Sequence, residues 1–380
     1  MSEGGQSWGS IPASLMRGGT SRGIVIPLEA VPLEGTERDR FLVSLMGSND
    51  SGQVDGFGGN TSTTSKIMMV SHAGNGGDID YLFAQVDPRN PVVDYGGNCG
   101  NMTAAVALYA AMEGLAAATD PLTEIGLYNL NTSTRVRAQV PTGPDGPVTA
   151  GDYRMAGIST PGAEIVTEYL DPAGPGGVFP TGEANEVLDV GGVGRVAVSI
   201  VDVASPLVFV HAEDVGLSGT ELPPEIDADD DLMARLEAIR GTAAQRLGLV
   251  GRAEDATGRS PGIPKLTMVS APADYETTGG GSVGSADMDI VVRMMSVQRA
   301  HHAIAMTGAL CTAAATALPG TIPYQVSSPD LTAPVRIGHP KGVTTARLDV
   351  EIAEIGVRVR GVAVSRTARC LMRGRIESPM

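Results

Sequence analysis

Asn98-Cys-Gly-Asn-Met-Thr-Ala-Ala-Val-Ala-Leu-Tyr-Ala-Ala-Met-Glu113 is the stretch on which the fold turns. Alanine dominates it, Asn98 or Asn101 can cap its start and Gly114 can end it, so it predicts a helix. Between Met102 and Met112 only Thr103 interrupts the apolar run. A helix that is apolar all round has to be enclosed on every side. No run of 18 apolar residues exists to span a bilayer, so the helix is expected to thread a sheet or barrel.

A second helix of the same kind is predicted in Ala303-Ile-Ala-Met-Thr-Gly-Ala-Leu-Cys-Thr-Ala-Ala-Ala-Thr-Ala-Leu318, closed by Pro319-Gly320. Strand-like runs precede each helix. They are Gly23–Pro27, Lys66–Val70 and Tyr81–Val86 before the first, and Leu207–Val210, Lys265–Val269 and Asp289–Met295 before the second. Val190–Val203 carries further strand candidates, and Glu225–Gly248 reads as one amphipathic helix. One enclosed, Ala-rich helix per half predicts a tandem duplication, with domains at 1–185 and 186–380.

The chain has 380 residues, 42% of them apolar and only 4% aromatic, so its cores are built from Ala, Val, Ile, Leu and Met. Its 50 glycines are scattered through apolar segments, which suits tight turns and close backbone approaches. Net charge is −16, which disfavours nucleic acid and anionic membranes as partners. Three cysteines (Cys99, Cys311 and Cys370) form neither a disulfide framework nor a zinc pattern, and Met1–Ser10 lacks an apolar signal core. A cytoplasmic protein acting on a small molecule is expected, with oligomeric state open to a homo-oligomer.

The two helix starts suggest the chemistry. Exposed N–H groups and the positive dipole end make a helix N-terminus an anion site, and glycine lets a ligand approach the backbone. If the two halves face each other, both starts can grip carboxylates in one cleft, which supplies the local positive field that the global charge denies. Cys99 lies at the first start, where a thiol is suited to giving or taking a proton near neutral pH. A buried cysteine is more often a small core residue, but the Asn-Cys-Gly-Asn turn around this one is polar. Lysines are mostly solvated surface residues. Lys66, however, opens the apolar run Ile67–Val70 in a chain poor in lysine, and a lysine partly desolvated at a cleft can act as a base.

Met16-Arg-Gly-Gly-Thr-Ser-Arg-Gly23, Asp55-Gly-Phe-Gly-Gly59, Ser62-Thr-Thr-Ser-Lys66, Asn98-Cys-Gly-Asn101, His301-His-Ala-Ile-Ala-Met-Thr-Gly-Ala309 and Gly338-His-Pro-Lys-Gly342 together resemble the PrpF family, in order and over nearly the whole chain. That family includes 2-methylaconitate cis–trans isomerase, 3-methylitaconate isomerase and 4-oxalomesaconate tautomerase activities. The resemblance implies an α/β (α+β) protein of two similar diaminopimelate-epimerase-like domains. Each would be a curled, barrel-like sheet around a central helix, with the active site in the interdomain cleft. It implies a cofactor-independent isomerase, with no metal, that shifts an allylic proton on an unsaturated di- or tricarboxylate. Lys66 and Cys99 are its implied catalytic pair. Gly18, Gly19, Thr20, Ser21, Ser65, Asn98, Gly100, Asn101, Met306, Thr307 and Gly308 are the implied substrate-binding residues.

Two departures from the pattern inform the substrate. Epimerases of this fold carry a second cysteine just before the turn that corresponds to Thr307-Gly-Ala309, and here Ala305 stands in that place. An amino-acid epimerase or racemase is therefore a weaker alternative, beside an oxalomesaconate-type tautomerase and a non-catalytic carboxylate-binding protein. Lys341 replaces an expected serine and could bind an extra carboxylate, and Arg22 replaces an expected lysine. Gly279-Gly-Gly-Ser-Val-Gly284 fits a dinucleotide spacing but lacks the strand–turn–helix setting, so it reads as a loop. The five histidines show no metal-ligand spacing, and His301-His302 is expected on a helix, pointing two ways.

Overall fold

The computed structural model describes residues 8–50, 52–74, 77–327, 329–353 and 356–379. The first seven residues of the stretch read for a signal lie outside that set. The first half runs β1 (Trp8–Gly18), β2 (Ser21–Pro27), α1 (Thr36–Met46), β3 (Lys66–His72) and β4 (Ile79–Val86). Then come β5 (Val93–Asp94), α2 (Gly100–Met112), β6 (Leu122–Asn129), β7 (Thr134–Gly143), β8 (Gly146–Pro147) and β9 (Ile165–Leu170).

The second half opens with β10 (Glu186–Val190), β11 (Gly194–Asp202) and β12 (Pro206–His211). It continues through α3 (Pro223–Asp227), α4 (Asp230–Arg246), α5 (Ala256–Arg259) and β13 (Lys265–Ser270). A short hairpin, β14 (Tyr275–Glu276) and β15 (Ser282–Val283), leads to β16 (Ile290–Met294), α6 (Met306–Thr316) and α7 (Ile322–Val326). Four strands finish the chain: β17 (Val335–His339), β18 (Gly342–Ala353), β19 (Gly356–Arg366) and β20 (Ala368–Pro379).

Strand pairing repeats between the halves. β1–β2 is antiparallel, β2–β3 parallel, β3–β4 antiparallel, β4–β6 parallel and β6–β7 antiparallel. The same alternation runs through β11–β12, β12–β13, β13–β16, β16–β17 and β17–β18. Each parallel step needs a crossover. α1 and α4 occupy the first crossover of their halves, and α2 and α6 the second. The duplication expected from the two Ala-rich helices is thus a duplication of topology.

The halves are joined in two places. β9 and β19, each paired to its own half, also pair with each other. β20 returns to pair antiparallel with β1 along its whole length, as β10 pairs with β11. The expected break at 185/186 falls in the segment between β9 and β10, while the C-terminal strand completes the first sheet.

Every residue of α2 from Gly100 to Ala110, and every residue of α6, is buried. Small side chains let strands close round both helices, and each enclosed Val106, Leu108 or Leu310 contributes roughly 1.5–3 kcal/mol. Two helix expectations are corrected. The helix expected over Glu225–Gly248 is two, because Asp229 leaves the helical region and its Oδ1 accepts the Leu232 N–H at 2.9 Å, capping α4 anew. His301 and His302 precede α6 rather than lie on it. The Ala303 N–H is held by His301 Nδ1 at 3.0 Å, and Ala305 is extended at the N-cap.

Candidate active site

The N-termini of α2 and α6 meet. A Cβ placed on Gly100 would lie 1.6 Å from Met306 Cε and 2.8 Å from the Tyr169 hydroxyl, so any larger residue there would have to displace the Met306 thioether. Around this junction is a cavity of about 50 Å³, room for a water or two. Ser21, Lys66, Asn98, Cys99, Gly100 and Asn101 line it from the first half, with Phe83, Gln85 and Asp94; Lys265, His301, Ala305, Met306 and Thr307 line it from the second. The first N–H groups of each helix have no intrahelical acceptor.

Lys66 is buried where β3 begins, beside the parallel strand β2. Its ammonium donates to Gln85 Oε1 at 2.5 Å and sits 5.2 Å from the centre of the Phe83 ring. The Gln85 amide is fixed by donating Nε2–H to the carbonyls of Ser65 and Val86, at 2.9 and 3.2 Å. This acceptor is neutral, so a deprotonated amine keeps the same hydrogen bond and still presents a lone pair.

Cys99 is the N-cap of α2, with its thiol 3.9 Å from Ser21 Oγ. Its carbonyl accepts the Thr103 N–H at 2.9 Å, and the thiol, directed to Ser21 Oγ, lines the cavity at the helix mouth. Asn98 donates Nδ2–H to the Tyr81 and Tyr169 hydroxyls at 3.1 and 3.3 Å, while its Oδ1 is buried without a partner. The Tyr169 hydroxyl in turn donates to Thr103 Oγ1 at 3.1 Å. Burial holds both phenols protonated, Tyr81 pushed up to about 12.

The other expected residues divide into support and periphery. Gly18 and Gly19 do not line the cavity; they press on Asn101, where a Cβ on either would come within 2.2 Å of an Asn101 oxygen. Gly19 also needs its φ of +50°. Thr20 Oγ1 accepts from Asn101 Nδ2 at 3.1 Å, and Asn101 Oδ1 accepts from the buried Arg366 Nε at 3.0 Å. Ser65 turns its hydroxyl to Gln53 Oε1 at 2.7 Å and supports Gln85 through its carbonyl. Gly308 makes room for Met294. Lys341 is exposed, its stem against Gly157, and does not line the cavity.

Lys265 and His301 are cavity residues that the sequence reading did not assign to the site. Lys265 Nζ donates to the Gly262 carbonyl at 2.9 Å, and burial pushes the ammonium down to about 8. Burial pushes His301 down to about 3; with Nδ1 accepting from Ala303, the neutral ring carries its proton on Nε2. Asp94 is the carboxylate of the lining, and its oxygens accept from the Gly96 and Gly262 N–H groups at 2.7 and 2.8 Å. At physiological salt, charges beyond about 8 Å are largely screened, so the lysines and helix starts of the lining, set against Asp94, govern the local field more than the distant surface carboxylates do.

Known proteins share the sequence pattern and the fold. The family model described as PrpF protein matches residues 9–379. The 2-methyl-aconitate isomerase of Shewanella oneidensis is 36% identical over 97% of this chain and 97% of its own. Among solved structures, a methylitaconate-delta-isomerase superposes with a TM-score of 0.79 at 36% identity, over 98% of this chain and 96% of its own. A hydroxyproline epimerase from Agrobacterium vitis is 10% identical with a TM-score of 0.57, covering 98% of this chain and 93% of its own, and shares the fold alone.

Proposed function

Because the chain belongs to the PrpF family and is an isomerase, we propose that it shifts an allylic proton on a small unsaturated di- or tricarboxylate of the methylaconitate or methylitaconate class. The observation that carries this reading is the pairing of Lys66 and Cys99 in one cavity at the junction of two helix N-termini.

In this scheme Lys66, as the free amine, takes a proton from the carbon allylic to the substrate double bond. The electron pair spreads into a dienolate-like anion whose carboxylate oxygens face helix N–H groups, and stabilisation of developing charge by fixed donors is worth several kcal/mol in such sites. The Cys99 thiol protonates the other end of the allyl system. The double bond has then moved, or reset its geometry on return. The ammonium and thiolate left behind restore themselves by passing one proton from Lys66 to Cys99, directly or through water. All groups in the scheme are acid–base groups of the chain.

The cavity at the junction is small, about 50 Å³, so substrate binding is expected to displace side chains that line it. Met306, whose thioether lies on Gly100, is the side chain best placed to yield. The test is incubation with 2-methylaconitate or 3-methylitaconate in D2O. Wild type is expected to place deuterium at an allylic carbon, Lys66→Ala to lose this by 10²–10⁴-fold and Cys99→Ala to retain little net isomerisation. Undiminished exchange in Lys66→Ala would remove that residue from the mechanism.

A further inference from the structure

We propose that Lys265 forms a second carboxylate subsite, contributed by the second half, that holds a substrate carboxylate remote from the carbon losing its proton. The proposal rests on the isomerase reading above and adds to it a residue and a division of labour.

Three independent observations carry it. The first is a sequence repeat at the same point of the fold. Lys66-Ile-Met-Met-Val-Ser71 and Lys265-Leu-Thr-Met-Val-Ser270 agree at four of six positions. Each lysine is the first residue of its strand, β3 or β13. Each of those strands lies parallel to the strand preceding its half's first crossover, with Gly23 opposite Lys66 and Leu207 opposite Lys265. The duplication therefore brings two equivalent lysines to one cavity from opposite sides.

The second observation is how rarely the chain uses lysine. Of its 27 Lys and Arg residues only Lys66, Lys265 and Lys341 are lysine. Among the described residues every ion pair is made by an arginine. Surface charge is arginine's work here, and two of the three lysines face the same cavity.

The third is the ammonium's spare donors. Lys265 Nζ donates to one carbonyl, and among the described residues no carboxylate lies within ion-pair distance of it; Asp94, the carboxylate of the lining, acts on it from farther off and has its oxygens on the Gly96 and Gly262 N–H groups. An ammonium with one neutral acceptor keeps donors to spare, and a ligand carboxylate would take them. The two halves then differ in one atom set that matters. Where the first has Cys99 at the N-cap of α2, the second has Ala305 at the N-cap of α6. Lys265 has no thiol beside it on its own half with which to divide proton removal and delivery, so it grips where Lys66 transfers.

Steady-state kinetics of Lys265→Met and Lys265→Arg with 2-methylaconitate test this. The expected result is KM raised roughly 10–100-fold in Lys265→Met, kcat within a few-fold of wild type, and most of the loss restored by Lys265→Arg. Wild-type KM is expected to rise above about pH 8, where the ammonium titrates, and to stay flat there in Lys265→Arg. A collapse of kcat at unchanged KM, or a Lys265→Met enzyme kinetically equal to wild type, would overturn it. Thermal stabilisation by trans-aconitate separates this from the isomerase reading. Stabilisation kept in Lys66→Ala but reduced in Lys265→Met supports the subsite even without turnover, and equal stabilisation in wild type and Lys265→Met refutes it.

Discussion

The starts of α2 and α6 are the same device built twice and used differently. α6 is wholly buried and α2 is buried from Gly100 to Ala110, both follow an extended N-cap residue, and both open into one cavity. At the N-cap the first has Cys99 and the second Ala305. The lysine of the first is cradled by the Gln85 side chain and the Phe83 ring, that of the second by a single main-chain carbonyl. Duplication supplies two helix starts and two lysines, and only the first start has a thiol at its N-cap. On the proposed scheme, symmetry of the backbone supplies the anion site, whereas asymmetry of a few side chains supplies the direction of proton transfer.

The comparison can be broken most severely at Lys66, where removal of the amine is expected to cost 10²–10⁴-fold in exchange. Next is Lys265→Met, with its rise in KM and little change in kcat. The contact between the helices comes third. Gly100→Ala displaces the Met306 thioether, with an expected loss of stability of about 1–3 kcal/mol, measured by denaturant titration, and weaker substrate binding. Adding Met306→Ala should recover part of both, because the two positions share one clash. Ala305→Cys installs the absent thiol in the second half; isomerisation is expected to stay within a few-fold of wild type, followed by the same D2O assay. A large gain or loss there would show that the second start takes part in proton transfer. Smallest of all is Lys341→Ala, an exposed residue whose removal should leave KM within about two-fold, in keeping with surface substitutions generally.

Much of this was legible in the residues. The uniform apolarity of Met102–Met112 demanded enclosure, and its recurrence at 303–318 announced two such units. The Asn-Cys-Gly-Asn turn marked a helix start that lines the cavity, because its polarity is out of place in a core. Other features were illegible for physical reasons. Nothing local in Ala368–Pro379 tells that it pairs with Trp8–Gly18, since a strand's alternation names its faces but not its neighbour across the chain. The role of Gly18 and Gly19 as a press on Asn101 depends on a contact between distant segments. Ser65 illustrates a different limit. A hydroxyl next to a candidate lysine looks like a ligand group, but Ser65 lies just before β3 begins and its hydroxyl goes to Gln53. Lys265 was visible in principle, through the Lys-x-x-Met-Val-Ser repeat and the scarcity of lysine; either signal gains meaning only once the topology shows that the two lysines are equivalent.

The division between a reacting half and a gripping half is tested most directly by one paired measurement. Deuterium incorporation from D2O is followed in Lys66→Met and Lys265→Met at saturating 2-methylaconitate, with substrate raised until the rate is flat. The account predicts that Lys265→Met regains near wild-type incorporation at saturation while Lys66→Met stays at background. Incorporation lost in both, or kept in Lys66→Met and lost in Lys265→Met, would contradict it.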